Sequence, residues 1–599
     1  MKDRKEIDPK YKWDLSAIFK TEEDYQSEFR AVEKAIGELG KYEKTMLNGA
    51  KELYETLKAV SDVESRIEVL WIYASLNYNT DTSDNHYQAL NAKIRSLAAS
   101  EGEATWYVSP YLLRLDEKTV ESWLKEYPAL ESYRRQIEKN MRSKPYTLSD
   151  ESEALMSKLQ DCLHGGYETR SIFANSDLKF GKITDSEGKR VELTDTAYIR
   201  YLMGADRKVR RAAFTTLYKT YEQFGNTFAT LYNNHVKEAT TLAKIRGYKS
   251  SFDSYTFRDE VTPAICNNLI SCVHKGLPAL YEYYEMKREV LGLDKLHLYD
   301  IYTPLIGSLD REYTYEEAVD EVLKTATVFG GEYYDTLKAG LCERGWVDVY
   351  PSKGKRGGAF SSGCPGTEPY ILLNFNGTFN NVSTLAHEAG HSMHTYFSTK
   401  YNEPHNSGYT IFVAEVASTV NELLMSHRLL RESKSDEEKL YLLNELMETY
   451  KGTLYRQTMF AEFERDMHAL VEKGEVLTAE LVNKKYYRLV CKYFGKDVVK
   501  DKQIQREWMR IPHFYNCFYV YKYATCISAA SAIVKRIESE GESYISKYID
   551  FLKCGDSRSP LDSLKVAGID MTSPEVVNGA IEDFSSCVKQ FKEIMASKK

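Results

Sequence analysis

The most informative stretch of this chain is His387-Glu388-Ala389-Gly390-His391. In an α-helix, residues four apart lie on one face, one turn from each other, so both imidazoles can reach the same ion. Histidine nitrogens at about 2.0–2.1 Å suit Zn²⁺. Glu388 lies beside that face, where its carboxylate can take a proton from a metal-activated water. The stretch therefore predicts a metal site with a general base.

The flanking residues predict a buried helix over about 384–398. No proline interrupts this segment, and Ser383 is suited to cap the N-terminus of the helix. Its apolar residues are Leu385, Ala386, Ala389, Met393, Tyr396 and Phe397. A carboxylate buried between two histidines is costly without a metal or partners. Burial therefore favours a metal site over an ordinary exposed helical turn.

A third protein ligand has to come from another segment. His394 lies about 10.5 Å along the helix axis from His387, which is too far to share one ion. The metzincin pattern would need a histidine at position 397, where this chain has Phe397. The remaining common scheme is two histidines and one carboxylate from a second helix.

Glu415 and Glu422 are the candidates for that carboxylate. They lie seven residues apart, on one face of a mostly apolar segment that is typical of a helix. One can bind the metal while the other hydrogen-bonds to a ligand. The spacing leaves open which glutamate has which role.

Several segments together resemble oligoendopeptidase F, a bacterial branch of the thimet-oligopeptidase-like (M3) zinc metallopeptidases. The resemblance rests on residues 357–360, 369–375, 387–394, 412–419, 510–515 and 555–560, and it extends over nearly the whole chain. It implies one Zn²⁺ per chain, bound by His387, His391 and Glu415. It also implies that Glu388 is the general base and that Glu422 is a supporting carboxylate.

A tyrosine-rich segment, residues 512–525, is a second candidate part of the site. Tyr515, Tyr519 and Tyr523 recur every fourth residue, which predicts one helical face; in a chain with 46 tyrosines, a packed core stripe is the alternative. Amide hydrolysis develops an oxyanion, which phenol O–H and imidazole N–H groups stabilise. In the related family, a histidine and tyrosines of this region contact the substrate. The resemblance thus implies His513, Tyr519 and Tyr523 as further catalytic residues.

A glycine-rich loop at residues 357–363 precedes a predicted strand at 370–375, which ends in an Asn376-Gly377 turn. A short strand beside the metal-binding helix could pair with the extended backbone of a substrate. A purely structural hairpin is the alternative.

Composition is typical of a soluble globular protein, with 43% hydrophobic and 28% charged residues and a net charge of −8. We find no basic patch that would predict a nucleic-acid partner. No apolar run approaches the length of about 18 residues that predicts a membrane span. Ten scattered cysteines without a CxxC pair, and a charged N-terminus without an apolar signal segment, favour a cytoplasmic protein with reduced thiols.

Helical spacing dominates the rest of the chain. It covers about 22–45, 50–77, 85–125, 190–245, 263–291, 315–340 and 437–553, and strands are predicted only at about 178–193, with a turn at 185–188, and at 345–375. A boundary near residue 195 would separate a helical N-terminal region, 1–195, from a catalytic region, 196–599. The resemblance further implies a mostly α, closed-bowl fold, in which a small β-sheet lies beside a deep channel that holds the metal-binding helix.

These features predict a zinc metalloendopeptidase that hydrolyses short, unstructured oligopeptides through a metal-activated water. One alternative is a metallo-carboxypeptidase of similar helical build, and another is a non-catalytic peptide-binding protein. A peptide blocked at its C-terminus distinguishes the endopeptidase from the carboxypeptidase, because only the endopeptidase still cleaves it.

Overall fold

The computed structural model describes residues 2–163, 165–307 and 311–598, and most of them are helical, which confirms the mostly α fold class. The first helices are α1 Glu22–Leu39, α2 Ala50–Thr80, α3 Asn85–Ala104, α4 Val108–Leu112, α5 Glu117–Glu126, α6 Arg134–Met141, α7 Asp150–Leu163, α8 Gly165–Ile172, α9 Asp195–Met203, α10 Arg207–Gln223, α11 Gly225–Ile245 and α12 Ser251–Arg258. They are followed by α13 Pro263–Val290, α14 Tyr315–Ala326, α15 Gly331–Cys342, α16 Phe379–Tyr401, α17 Ile411–Glu432, α18 Asp436–Tyr450, α19 Arg456–Glu472, α20 Ala479–Tyr493, α21 Tyr521–Glu540, α22 Glu542–Leu552, α23 Pro560–Val566 and α24 Pro574–Ser597. Among the described residues, no helix has both the length and the apolar character that a bilayer crossing demands.

The strands of the described residues are short and form three small sheets. They are β1 Lys182–Thr184, β2 Arg190–Glu192, β3 Leu296–His297, β4 Val347–Asp348, β5 Phe360–Ser362, β6 Tyr370–Leu372 and β7 Val498–Val499. β1 and β2 form the predicted antiparallel hairpin, and Gly188 takes a φ of 81° in its turn. β3 pairs with β7 in parallel, and the third sheet has the order β4-β6-β5.

The chain forms two compact units, each built from three separated segments. Unit 1 consists of Met1–Pro145, Asp310–Arg428 and Ile533–Ile569, and unit 2 consists of Tyr146–Leu309, Leu429–Ala532 and Asp570–Lys599. The boundary that the sequence suggests near residue 195 stays a prediction.

In unit 1, the three-stranded sheet packs against α16. The central strand β6 is completely buried and pairs in parallel with β4 and antiparallel with β5. The Oγ atoms of Ser361 on β5 and Ser392 on α16 lie 2.8 Å apart and tie the sheet to the helix. The sequence prediction of a strand in 370–375 is therefore confirmed for residues 370–372.

In unit 2, the long helix α24 packs against both α13 and α18. A Cβ added to Gly276 of α13 would lie 2.7 Å from Ile581 of α24, so these two helices approach very closely. Beside them, the fully buried Lys287 places its Nζ 3.2 Å from Glu448 Oε1. Lys451 Nζ and Tyr283 Oη also donate to Glu448, so one carboxylate joins α13 to α18 and the turn that follows it.

Candidate metal centre

The helix that carries the HExxH stretch begins earlier than the sequence suggests. α16 starts at Phe379, and Thr378 is its N-cap. Phe379 and Val382 are both buried, so the apolar face of the helix extends one turn further toward the N-terminus. The prediction of Ser383 as the cap is therefore wrong, and this serine lies inside the helix.

α17 reaches α16 at the glycine of the stretch. A Cβ on Gly390 would lie 2.5 Å from the carbonyl oxygen of Ala417 and 2.6 Å from the Cα of Ser418, and only glycine permits such an approach. Close by, the Asn421 side chain donates to the Ala386 carbonyl at 3.3 Å. The two helices are thus held nearly backbone to backbone at this point.

Three ligand atoms converge where the helices meet. His387 Nε2 lies 3.1 Å from His391 Nε2, and Glu415 Oε2 lies 3.3 Å from each of them. Three donors at about 2.0–2.1 Å from one tetrahedral ion would be about 3.3–3.4 Å apart. The triangle therefore has the dimensions of a ligand set for one small cation. The three side chains are 17–26% exposed, so the triangle is largely buried but not sealed from solvent.

The remaining atoms of these side chains are oriented by neighbours. His387 Nδ1–H donates to Glu422 Oε1 at 2.9 Å, so Nε2 is the ring nitrogen that is directed into the triangle. Ser418 Oγ donates to Glu415 Oε2 at 3.1 Å. The role of Ser418 as a hydrogen-bond donor to Glu415 was not predicted from the sequence. The signal that could have indicated it is the pair of small residues, Ala417 and Ser418, on the predicted partner helix.

The charges within the cluster act on one another. Burial alone would lower the pKa of His387, but its hydrogen bonds to Glu415 and Glu422 raise that pKa well above the ordinary value. Burial would likewise raise the pKa of Glu415, yet the two histidines hold it far below its usual range. Glu388 is 6% exposed, and burial raises the pKa of its carboxyl group. A raised pKa moves this carboxylate toward the range of a general base that works near neutral pH.

His394 takes no part in the triangle. Its ring is buried and stacks on Tyr409 with a centroid distance of 3.8 Å, and burial lowers its pKa to about 3. A neutral, stacked imidazole is a packing residue, in agreement with the distance argument from the sequence.

The loop before β5 is closed by one side chain. Asn374 Nδ2 donates to the carbonyls of Arg356 and Gly358 at 3.0 and 2.8 Å, and Gly358 adopts a φ of 83°. β5 is the outer strand of the sheet, so within this sheet one of its edges is unpaired.

The tyrosine-rich segment belongs to unit 2 and is not one helix. Residues 512–515 form a 3-10 turn, and Phe518 has a φ of 56°, after which α21 begins. The prediction of one helical face for Tyr515, Tyr519 and Tyr523 is therefore wrong, because the left-handed conformation of Phe518 redirects the chain between them.

His513, Tyr519 and Tyr523 nevertheless form a cluster. The ring centroid of His513 lies 6.3 Å from that of Tyr519 and 6.5 Å from that of Tyr523, and the two tyrosines are 5.4 Å apart. Tyr515 instead packs on His235, at 5.0 Å. Burial lowers the pKa of His513, so its imidazole is neutral at neutral pH.

Comparison with known proteins identifies the family of the chain. The model of peptidase family M3 matches residues 201–582, and a model described as oligopeptidase F matches residues 112–180. Oligopeptidase PepF of Bacillus subtilis is 41% identical over 593 residues, which cover 99% of this chain and 88% of the relative. Group B oligopeptidase PepB of Streptococcus agalactiae is 36% identical and covers 99% and 98% of the two chains. The crystal structure of oligoendopeptidase-F from Enterococcus faecium superimposes with a TM-score of 0.75, with 32% identity and coverage of 96% and 99%. The resemblance found in the sequence is thus confirmed, and the chain belongs to peptidase family M3, in its oligoendopeptidase F branch.

Proposed function

We propose that this peptidase is a zinc-dependent oligoendopeptidase that hydrolyses internal bonds of short, unstructured peptides. The observation that carries the proposal is the triangle of His387 Nε2, His391 Nε2 and Glu415 Oε2, whose sides of 3.1–3.3 Å fit one small cation. Membership of a family of metallopeptidases supports the same conclusion.

Two imidazole nitrogens and one carboxylate oxygen are the donors that catalytic zinc takes when it keeps a position open. Zinc bound there would act as a Lewis acid that makes water nucleophilic at neutral pH. The Glu388 carboxylate accepts the proton of the attacking water and returns it to the nitrogen of the leaving amine. Glu422 holds the His387 ring by its Nδ1–H and so keeps Nε2 available as a ligand.

His513, Tyr519 and Tyr523 are proposed as donors to the carbonyl oxygen that becomes negatively charged. Phenol O–H groups and a neutral imidazole N–H stabilise such an oxyanion without a change in their own charge. The cluster of these three rings in unit 2 supports a shared role.

An extended peptide is the substrate form that the sheet in unit 1 favours, since the free edge of β5 offers backbone groups to another strand. A folded protein seldom presents a strand with both its backbone and its scissile bond free. The proposal further assigns the enzyme to the cytoplasm, where its ten cysteines, none of which forms a disulfide, would stay reduced.

The test is to map cleavage by mass spectrometry in a mixture of short peptides, some blocked at both ends, with and without a chelator. Internal cuts in blocked peptides that a chelator abolishes and added zinc restores would support the proposal. Trimming only from free C-termini would favour a metallo-carboxypeptidase. Peptide binding without cleavage would favour a binding protein.

A further inference from the structure

Unit 2 contains a second set of potential metal ligands, at a distance in sequence from the HExxH helix. Glu464 and His468 lie one turn apart on α19, and Cys517 follows the 3-10 turn at 512–515. Their ligand atoms all lie within 4.8 Å of one another. The three residues are 0%, 1% and 5% exposed, so the cluster is closed to solvent.

Two polar atoms in this cluster have no hydrogen-bond partner among the described residues, Glu464 Oε2 and His468 Nε2. The other polar atom of each side chain is satisfied: Glu464 Oε1 accepts the Phe518 N–H at 2.7 Å, and His468 Nδ1 lies 2.9 Å from Ser251 Oγ. Each residue is therefore anchored on one side and has a lone pair free on the side that faces the cluster. Buried polar atoms are rarely left unpaired, because their desolvation is then uncompensated.

The backbone next to Cys517 has an unfavourable conformation that a residue of this cluster holds in place. Phe518 is in the left-handed region, with a φ of 56°, which is unfavourable for a residue with a side chain. Its N–H is held by Glu464, so the carboxylate that carries a free oxygen also fixes the turn beside the cysteine. His235 Nε2 lies 3.2 Å from Cys517 Sγ.

Charge balance selects the ion. Glu464 and Cys517 are the two groups of the cluster that become negatively charged when they lose a proton, and His468 is a neutral donor. A divalent ion that displaces the carboxyl proton of Glu464 and the thiol proton of Cys517 to solvent would give a site of zero net charge, as a buried site requires. Sulfur, nitrogen and oxygen donors together suit Zn²⁺ and exclude the hard ions Mg²⁺ and Ca²⁺.

We propose that Glu464, His468 and Cys517 bind a second, structural zinc ion. This ion ties the segment that follows residue 512 to α19. His513 and Tyr519 belong to that segment, so the ion would also fix two of the residues that we assign to the reaction. The binding itself does not depend on that assignment or on peptidase activity.

The test uses cobalt, because Co²⁺ bound to a thiolate absorbs strongly in the near ultraviolet, whereas Co²⁺ bound only to nitrogen and oxygen does not. A His391→Ala chain, which lacks one ligand of the first centre, is produced in cells grown with cobalt. We expect it to retain about one equivalent of metal after buffer exchange, by elemental mass spectrometry, and to show the thiolate band. Cys517→Ser in the same background should abolish both.

Cys266→Ser is the matched control, since Cys266 is another buried cysteine of unit 2 outside the cluster, and this variant should keep the metal and the band. A His391→Ala chain that retains no metal would overturn the proposal without any substitution in the cluster. A thiolate band that persists after Cys517→Ser would also overturn it, because the sulfur ligand would then lie elsewhere.

Discussion

We propose Glu388 as the general base beside the triangle; it is not one of the three ligands. In Glu388→Gln, the amide occupies the same space but cannot accept a proton, while the three ligand atoms are unchanged. We expect metal content equal to that of the parent chain and a kcat lower by about 10²-fold or more. Elemental analysis and hydrolysis of a blocked, internally quenched peptide measure the two quantities. A variant that kept more than about a tenth of the parent kcat would exclude Glu388 as the general base.

Glu422 would act on the metal indirectly, because it accepts a hydrogen bond from the Nδ1–H of the ligand His387. Glu422→Gln weakens that hydrogen bond and allows the ring to turn, so zinc affinity should fall by about 10–100-fold. At saturating zinc, most of the kcat should return, which distinguishes orientation of a ligand from loss of one. Competition with a chromophoric chelator gives the affinity. Glu432→Gln, on the exposed end of the same helix, is the control and should bind zinc as the parent does.

A substitution at Tyr523 distinguishes the proposed role of this residue as an oxyanion donor from a role in core packing. Tyr523→Phe removes only the hydroxyl group and should lower kcat by about 10²–10³-fold if that hydroxyl donates to the oxyanion. Metal content should not change. Tyr515→Phe is the matched control, because Tyr515 packs with His235 away from the ring cluster. If both variants had the kcat of the parent, Tyr523 would be a packing residue as well.

At the scale of elements, the contact between α16 and α17 sets the triangle. Gly390→Ala places a methyl group 2.5 Å from the Ala417 carbonyl, so the helices must separate. Because the ligands come from both helices, we expect weaker zinc binding, loss of activity, and destabilisation of about 1–3 kcal/mol. Zinc titration and thermal melting measure these effects.

Gly102→Ala is the matched control for this substitution. Gly102 lies in α3 of the same unit with no atom within 4 Å of an added Cβ, so alanine should increase stability by about 0.5–1 kcal/mol. Full zinc affinity in Gly390→Ala would contradict the view that helix separation sets the ligand geometry.

Local signals in the sequence were sufficient for some elements and insufficient for others. α1 begins at Glu22 as predicted, because Thr21 and Asp24 form a capping box that depends only on neighbouring residues. The prediction that Tyr515, Tyr519 and Tyr523 share one helical face was wrong. It could not foresee the conformation of Phe518, because Glu464, far away in the chain, fixes it. The close approach at Gly390 likewise depends on a second helix, so its tightness could not be derived from the stretch itself.

At the scale of the whole molecule, the carboxylate of Glu448 makes the stability of unit 2 sensitive to acid. Burial would raise the pKa of Glu448, but the charges of Lys451 and Lys287 lower it to about 2 from a usual value of 4.5. The folded-state pKa is thus below the unfolded one, so the ion pairs stabilise the fold above pH 4.5. That contribution is lost as the pH falls from 4.5 through about 2.

Glu448→Gln should therefore melt at a lower temperature at neutral pH and depend less on pH between 4.5 and 2. Circular dichroism melts across this range measure both effects. Glu445→Gln is the comparison on the same helix: burial raises the pKa of Glu445, so its charge does not stabilise the fold and the acid dependence should not flatten. Parallel melting curves for the parent and Glu448→Gln would exclude the ion pairs as the source.

The interleaving of segments has a consequence for biosynthesis. α13 can reach its tight contact at Gly276 only after α24 has been translated, and the whole of α14 to α23 is made in between. During that time the part of α13 that packs on α24 lacks this partner, which exposes it to aggregation and to chaperones. The ribosome must also complete segments of both units before either is closed, so the two units cannot be finished independently, one after the other. A ribosome stalled before α24 should therefore carry a chain that proteases degrade readily in unit 2, whose last segment, Asp570–Lys599, is still incomplete.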